Sequence, residues 1–171
     1  MALDDEAALA RLAAALPLRF EAGRVLLDGR DVSEALRSEQ TGMDASALAP
    51  LPAVRAALLH LQRSMARLPG LVADGRDMGT VVFADAPLKV FLTASAETRA
   101  ERRYKQLAAK GISANIARLR DDLQARDARD ASRAAAPLKA AQDALALDNS
   151  CLSIEQSVQQ VLDWWQGRQP F

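Results

Sequence analysis

The spacing of hydrophobic positions changes along the chain, and each change predicts a different element of secondary structure. Leucines at positions 9, 12 and 16 repeat with helical spacing, which predicts a helix over Leu3–Leu16. Two short apolar runs then flank Ala22-Gly23 and predict a β-hairpin closed at Gly29. We therefore expect one helix followed by a small antiparallel unit.

The segment after the hairpin is predicted to be mostly helical. Asp31 or Ser33 is expected to cap a short helix that ends at Arg37. The glycine in the stretch QTGMD is expected to interrupt the chain. A longer helix is predicted beyond it, over Ala53–Leu68.

Beyond Pro69-Gly70 the pattern changes to short apolar runs that alternate with helical segments. The runs LVAD, LKVFL and DALALD are each predicted to form a strand. Long helices are predicted over Ser95–Ala109 and Ser113–Ala131, and Ser153 with Gln156 forms a capping-box pattern before a last helix. Strands that alternate with helices in this way predict an α/β fold with a parallel sheet.

Composition narrows the classes of function. The 171 residues include 22 Lys/Arg and 22 Asp/Glu, so the molecule lacks the overall positive charge typical of nucleic-acid binding. Between residues 95 and 139, however, 11 basic residues outnumber 6 acidic ones, which suits a small polyanion such as a nucleotide. No run reaches the ~18 apolar residues of a membrane span, and no signal-peptide pattern is present, so no membrane partner and a cytoplasmic location are expected.

Few side chains are suited to metal binding or nucleophilic catalysis. Cys151 is the single cysteine and His60 the single histidine. A disulfide framework and a cysteine-based zinc site are therefore excluded, and we predict no metal site built from protein side chains.

The tetrapeptide DGRD occurs twice, and its flanks separate the two copies. Asp28–Asp31 lies between the predicted hairpin and the predicted short helix, where a turn and a cap suffice. Asp74–Asp77 follows the apolar run GLVA, and ligands bind beyond the carboxyl ends of strands in open α/β sheets. Arg76 offers donors suited to phosphate and Asp77 an acceptor for an amine or hydroxyl. A polar turn with a local ion pair is the alternative.

The stretch ARDARDASR contains two cations and a carboxylate at helical spacing. Arg126, Asp130 and Arg133 are related as i, i+4 and i+7, which predicts that they share one helical face or its continuation. This spacing is typical both of a group that binds an anion and of an exposed salt-bridge ladder.

The stretch TRAERRYKQ concentrates arginines on the helix predicted over residues 95–109. Arg99 and Arg103 share a face at i, i+4, and Arg102 precedes Arg103. Clustered arginines stabilise the charge that spreads over a phosphoryl group during transfer. Arginine runs also occur on exposed helices, which is the alternative.

Together these stretches resemble the bacterial cytidylate kinases. The similarity is carried by LPGLVADGRDMGTVVFADAPLKVFLTASAETRAERRYKQL, ARDARDASRAAAPLKAAQDALALDNSCLSIEQSV, GRDVSEALRS and PAVRAALLHLQR, and it covers about Asp5–Trp165. It implies phosphoryl transfer from ATP, with Mg²⁺, to CMP or dCMP, and a monomer. The implied fold is a P-loop nucleoside monophosphate kinase-like parallel sheet, with helices on both faces and strand order 2-3-1-4-5.

The resemblance also implies a division into regions. Residues 1–68 would form part of the monophosphate-binding region with a small α+β insert, and residues 69–171 the core sheet. A lid would cover about residues 99–133. In that arrangement Ser46, Arg55 and Asp77 would recognise the cytosine ring, while Arg126 and Asp130 would hold the sugar end of the monophosphate.

The phosphate groups would be held by arginines. The resemblance implies that Arg76 and Arg133 hold the phosphate of CMP. On the lid, Arg103 would lie near the transferred phosphoryl group and Arg99 near the base of ATP. Arg99, Arg103 and Arg133 would be the catalytic arginines, the first two also contacting ATP.

One part of the family pattern does not occur in these 171 residues, namely the phosphate-binding loop G-x-x-x-x-G-K-[ST]. The resemblance implies that the strand leading into this loop is the central one, between LVAD and KVFL. We therefore expect an N-terminally truncated member with two exposed strand edges, poor stability and no appreciable kinase activity by itself. The alternatives are a fragment that binds CMP without catalysis and a remnant that does not fold cooperatively; a nucleic-acid-binding module is disfavoured.

Overall fold

The computed structural model describes residues 5–132 and 136–168, which form two compact units divided in sequence between Val72 and Ala73. Among residues 5–72, the first unit contains three helices, three strands and a short 3₁₀ turn. In chain order these are α1 (Glu6–Ala14), β1 (Leu18–Glu21), β2 (Arg24–Leu27), β3 (Arg30–Asp31), the 3₁₀ turn (Ala35–Arg37), α2 (Glu39–Leu48) and α3 (Pro52–Ser64).

The core of the first unit lies between α1 and α3. The Asp5 carboxylate accepts a hydrogen bond from the Ala8 amide at 2.9 Å and so caps α1. Leu9 and Ala13 of α1 are buried against Val54 of α3, and Leu48, Leu51, Ala57 and Leu58 are among the half-buried side chains around them. The predicted first helix is therefore confirmed by its packing.

The predicted hairpin is confirmed and extended by a third strand. β1 and β2 pair in antiparallel register, from Leu18 opposite Leu27 to Glu21 opposite Arg24. The connecting residues Ala22 and Gly23 both have positive φ, as a type I′ hairpin turn requires. Asp28 and Gly29, again with positive φ, turn the chain into β3.

Two expectations for this unit are wrong. Neither Asp31 nor Ser33 caps a helix: the Ser33 hydroxyl instead accepts from the Val25 amide at 2.9 Å, and the Asp31 carboxylate accepts from the Ser33 amide. The stretch QTGMD does not interrupt the chain but lies inside α2, whose start is capped by Ser38. One glycine costs a helix only about 1 kcal/mol.

In its described part, residues 73–132 and 136–168, the second unit has a two-stranded parallel sheet and three long helices. Its elements are a π-helical turn (Met78–Val82), β4 (Val90–Thr93), α4 (Ala96–Ala109), α5 (Ile116–Ser132), β5 (Leu145–Asp148) and α6 (Ile154–Gln166). The strands pair in parallel, Val90 opposite Leu145 and Thr93 opposite Asp148. This confirms the α/β class with a parallel sheet, the long helices, and the capping box of Ser153 and Gln156.

The predicted strand LVAD, by contrast, is wrong. Residues 71–74 have no strand assignment, and the Val72 side chain is 99% exposed. A strand exists only through hydrogen bonds to a neighbour, and within residues 5–132 and 136–168 no other strand pairs with this run. None of the helices in these two ranges is long and apolar enough to cross a bilayer.

Candidate functional site

The second DGRD lies in a bend before the π-helical turn. The sequence had predicted that it follows a strand, and this prediction is wrong. The main-chain carbonyl of Asp77 accepts from the amides of Thr80, Val81 and Val82 at 2.9–3.3 Å. A Cβ added at Gly75 would lie 2.9 Å from the terminal methyl of the flexible Met78 side chain, which would have to shift to admit it. These contacts fix the backbone from which Arg76 and Asp77 project.

Arg76 forms an ion pair with Asp130 of α5, 54 residues further along the chain. Its Nε donates to Asp130 Oδ2 at 3.0 Å. Asp130 is only 6% exposed, whereas the Arg76 side chain remains 41% exposed. The Asp130 carbonyl also accepts from the Leu138 amide at 2.8 Å. The structure thus joins the DGRD and ARDARDASR motifs. In the resulting ion pair the carboxylate is buried and the guanidinium remains partly accessible.

Asp130 is buried, unlike a member of a fully exposed salt-bridge ladder, and Arg76 of the DGRD turn is one of its partners. Arg126 stands one turn before Asp130. Within the described residues, its Nε is buried and has no hydrogen-bond partner. A buried N–H without a partner is costly unless another group accepts from it. Arg133, the third member of the predicted group, lies outside the described residues.

Arg99 of α4 is held by two segments. Its two Nη atoms donate to the two carboxylate oxygens of Asp127 on α5 at 3.1 and 2.5 Å, and its Nε donates to the Ala94 carbonyl at 3.1 Å. The two parallel bonds are the fork geometry in which a guanidinium binds a carboxylate most strongly. Arg103 is half-buried one turn further along α4.

Asp127 was missed by the sequence analysis, although a signal for it was present. ARDARDASR contains two Arg-Asp pairs, and Asp127 precedes Asp130 by three residues, which places both on one face of a helix. In the structure each receives a different guanidinium, Asp127 that of Arg99 and Asp130 that of Arg76. One face of α5 therefore connects the two arginine-bearing segments.

The two remaining predicted site residues belong to the first unit. Ser46 is half-buried in the last turn of α2, and Arg55 is half-buried in the first turn of α3. The Arg55 Nη1 donates to the carbonyl of Ala49, the C-cap residue that follows α2, at 3.3 Å. The structure thus places both residues at the junction of these two helices.

A buried lysine lies near the amino-terminal ends of the two sheet strands. The Lys89 side chain, 8% exposed, precedes β4 and donates to the Ala84 carbonyl and, at 2.9 Å, to the Asp143 carboxylate. The hydrogen bond from Lys89 holds the pKa of Asp143 below its usual value. With Gly79, Thr80 and residues 139–142, this pair lines a shallow cavity of about 430 Å³.

Arg76, Arg99 and Arg126 of the second unit offer guanidinium groups that can bind a phosphorylated ligand. Guanidinium groups match the geometry of phosphate oxygens, and a buried carboxylate beside them can accept from sugar hydroxyls. These side chains lie on the DGRD turn and on helices α4 and α5, in a unit that contains a parallel sheet. Such an α/β arrangement is typical of proteins that act on nucleotides.

Comparison with known proteins agrees with this class. A family model described as cytidylate kinase matches residues 1–166. Curated relatives named cytidylate kinase include one from Chromobacterium violaceum, 57% identical over 169 residues, which covers 99% of this chain and 76% of the relative. Another, from Cupriavidus necator, is 58% identical over 168 residues, covering 98% and 76% of the two chains. A third, from Burkholderia mallei, is 60% identical over 162 residues, covering 95% and 71%.

The chain belongs to the cytidylate kinase family. Members of this family are ATP-dependent phosphotransferases, so the prediction of the family and of its enzyme class is confirmed.

Proposed function

We propose that this chain forms the part of a cytidylate kinase site that binds the phosphoryl acceptor, CMP or dCMP, and that it contributes arginines to transfer from ATP. The observation that carries the proposal is the Arg76–Asp130 ion pair. It unites two motifs whose spacing separately suggested phosphate binding, and it leaves the guanidinium partly accessible while the carboxylate is buried.

The monophosphate end of the acceptor would lie against α5 and the DGRD turn. Arg76 would donate to the phosphate with N–H groups other than the Nε used by Asp130, since a guanidinium has five donors. Asp130 would accept from a sugar hydroxyl, and the buried Nε of Arg126 would donate to the same end of the ligand. We assign Arg133 to the phosphate as well, on the family resemblance alone.

On the family resemblance alone, we assign recognition of the cytosine ring to Ser46 and Arg55 of the first unit and to Asp77 of the second. A hydroxyl, a guanidinium and a carboxylate together offer donors to the ring carbonyl and ring nitrogen and an acceptor for the exocyclic amine. These groups discriminate cytosine from uracil, because uracil presents a carbonyl where cytosine presents the amine. A site built to pair an amine leaves polar groups unpaired when the amine is missing.

The arginines of α4 would serve the donor nucleotide. Three of the five N–H groups of Arg99 are engaged by Ala94 and Asp127. A contact with the ATP base would use the remaining two or displace Asp127. Arg103, one turn along, would neutralise charge on the transferred phosphoryl group, and no covalent intermediate is required because positioning and charge stabilisation dominate this reaction.

Mg²⁺ and the polyphosphate of ATP fit these residues less well than CMP does. Within residues 5–132 and 136–168 no group of three or more His, Cys, Asp or Glu side chains could hold a metal ion. Kinases hold Mg²⁺ chiefly through substrate phosphates, and the phosphate-binding loop is not among these 171 residues. We further propose that β4 and β5 correspond to strands four and five of a monophosphate-kinase sheet ordered 2-3-1-4-5.

Calorimetry and a coupled assay test the proposal on the 171-residue chain. We expect CMP to bind, ATP to bind far more weakly, and turnover with CMP, ATP and Mg²⁺ to be negligible. Turnover near that of a complete kinase would contradict the expected inactivity while supporting the site. The absence of CMP binding in a protein that shows a cooperative thermal transition would overturn the assigned site, and the absence of a transition would identify a remnant that does not fold.

A further inference from the structure

Arg102 of α4 makes three hydrogen bonds that the proposed reaction does not use. Its Nη1 donates to the side-chain oxygen of Asn149 at 3.0 Å. Its Nη2 donates to the Asn149 carbonyl at 2.6 Å and to the Leu152 carbonyl at 3.4 Å. Arg102 is half-buried, so its guanidinium is directed into the protein while its neighbour Glu101 is exposed.

All three acceptors belong to one short loop, residues 149–152, which connects β5 to α6. A loop of this kind exposes main-chain carbonyls that need partners once they are removed from water. Arg102 satisfies two of them with one planar group, and a guanidinium is suited to this because its donors are fixed in a fork. The sequence motif that contains Arg102 gave no indication of this target.

The same loop is tied to the start of α4 by a second contact. The Ser150 hydroxyl donates to the Asp148 carboxylate at 2.6 Å and accepts from the amide of Ser95, the residue that caps α4, at 2.9 Å. The loop amide of Asn149 in turn donates to the Thr93 carbonyl at the end of β4. The first two turns of α4 are therefore fastened to the carboxyl ends of both parallel strands.

We propose that Arg102 is a positioning residue: it locks the loop of residues 149–152 onto α4 and so fixes the direction in which Arg99 and Arg103 of the same helix face the nucleotide. The proposal rests on the function proposed above for those two arginines. Arg102 itself touches neither nucleotide. Side chains that hold a transferring group act only within a narrow range of geometry, so a helix free to shift would lose their contribution.

Amide hydrogen exchange on the 171-residue chain tests the lock without any nucleotide. In Arg102→Ala we expect the amides of Asn149 and Leu152 to exchange on the order of tenfold faster. Without the charge-assisted bonds to its carbonyls the loop opens more often, and the bonds that these two amides donate to the Thr93 and Asn149 carbonyls open with it. Arg102→Lys should restore part of the protection, since an ammonium can still donate to a carbonyl. Lys105→Ala, which removes an exposed cation from the same helix, should leave both rates within about twofold.

A second variant distinguishes loss of the contacts between Arg102 and the loop from a general loss of stability. Val82→Ala removes a buried side chain distant in sequence from the loop and serves as the control for reduced stability. If Val82→Ala accelerates these two amides as much as Arg102→Ala does at an equal fall in Tm, or if Arg102→Ala leaves them unchanged, the lock does not exist.

Enzyme kinetics then test the positioning role of Arg102 separately from the proposed function. In any form of the enzyme that contains residues 1–171 and turns over, Arg102→Ala should raise KM for ATP or lower kcat at least fivefold and leave KM for CMP within about twofold. Accelerated exchange with unchanged ATP kinetics would overturn the positioning role. Failure of the unsubstituted enzyme to use CMP would instead refute the proposed function, and the exchange result would still decide whether the loop is locked.

Discussion

Arg76 and Asp130, 54 residues apart in sequence, form an ion pair in which Nε and Oδ2 are 3.0 Å apart and the carboxylate is buried. Removing one partner of such a pair is costly, because it leaves an unneutralised charge away from water. The pair is therefore a structural link between the DGRD turn and α5 as well as part of the proposed acceptor site.

The first prediction concerns the stability of this pair. We expect Arg76→Ala to lower the free energy of unfolding by about 1–3 kcal/mol, less than for a fully buried pair because Arg76 is partly exposed. Arg76→Ala combined with Asp130→Asn should be less destabilising than the sum of the two single changes. Urea unfolding measures all three variants.

Arg120→Ala is the matched control, since Arg120 pairs with its exposed neighbour Asp121 on the same helix. Exposed pairs contribute about 0–1 kcal/mol. Strict additivity of the Arg76 and Asp130 substitutions would show that the ion pair contributes nothing to folding.

The ion pair also shows the limits of what the sequence could predict. Helical spacing correctly placed Arg126 and Asp130 on one face of α5, because that relation is local and set by 3.6 residues per turn. The partner of Asp130 depends on how a distant segment packs, and no periodicity in the sequence encodes that contact. The pairing with Arg76 therefore emerged only from the structure, as did that of Asp127 with Arg99.

Predicted strands were confirmed where the apolar run also had a neighbouring strand to pair with. The runs in LKVFL and DALALD formed β4 and β5 because each had the other as a neighbour. LVAD has a similar composition but no partner strand within the described residues, and an unpaired strand forms no ladder of hydrogen bonds. The stretch QTGMD was wrongly expected to break the chain, since the cap at Ser38 and the packing of Leu48 beside α1 and α3 outweigh its one glycine.

The second prediction concerns base recognition. Arg55→Ala should raise the Kd for CMP roughly tenfold and reduce the preference for CMP over UMP, because a donor to the ring is removed. Arg63→Ala, on the same helix at its other end, should leave both values within about twofold. Titration calorimetry with the two nucleotides measures this. Equal loss of CMP and UMP binding would show that Arg55 contacts phosphate or maintains the fold, and would refute its role at the cytosine ring.

The third prediction concerns the capping box at the start of α6. The Ser153 hydroxyl accepts from the Gln156 amide at 3.2 Å, and the Gln156 side chain accepts from the Ser153 amide at 2.9 Å. Ser153→Ala should lower the free energy of unfolding by about 1 kcal/mol. Ser157→Ala, one turn further along, should have a smaller effect. If the two substitutions cost the same in thermal unfolding, the capping interaction is not the cause.

The fourth prediction concerns acid stability and the Lys89–Asp143 pair. The hydrogen bond from Lys89 lowers the pKa of Asp143 in the folded protein. Because the pKa is lowered in the folded protein, the pair stabilises the fold fully at pH values above the ordinary aspartate pKa, near 4. This stabilisation is lost as the pH falls through the pKa that Asp143 has in the folded protein. Asp143→Asn should therefore be less stable than the unsubstituted chain near pH 7, and the two should converge as the pH falls toward 2.

Urea unfolding at a series of pH values from 7 to 2 measures this convergence. Asp85→Asn, in the exposed turn before β4, is the control for a change in net charge, and it should give a difference that varies little with pH. High salt should reduce the effect of Asp143→Asn only partly, because Lys89 is buried and screening acts weakly on buried charges. A stability difference for Asp143→Asn that stays constant across the whole pH series would show that the carboxylate charge is not what holds Lys89.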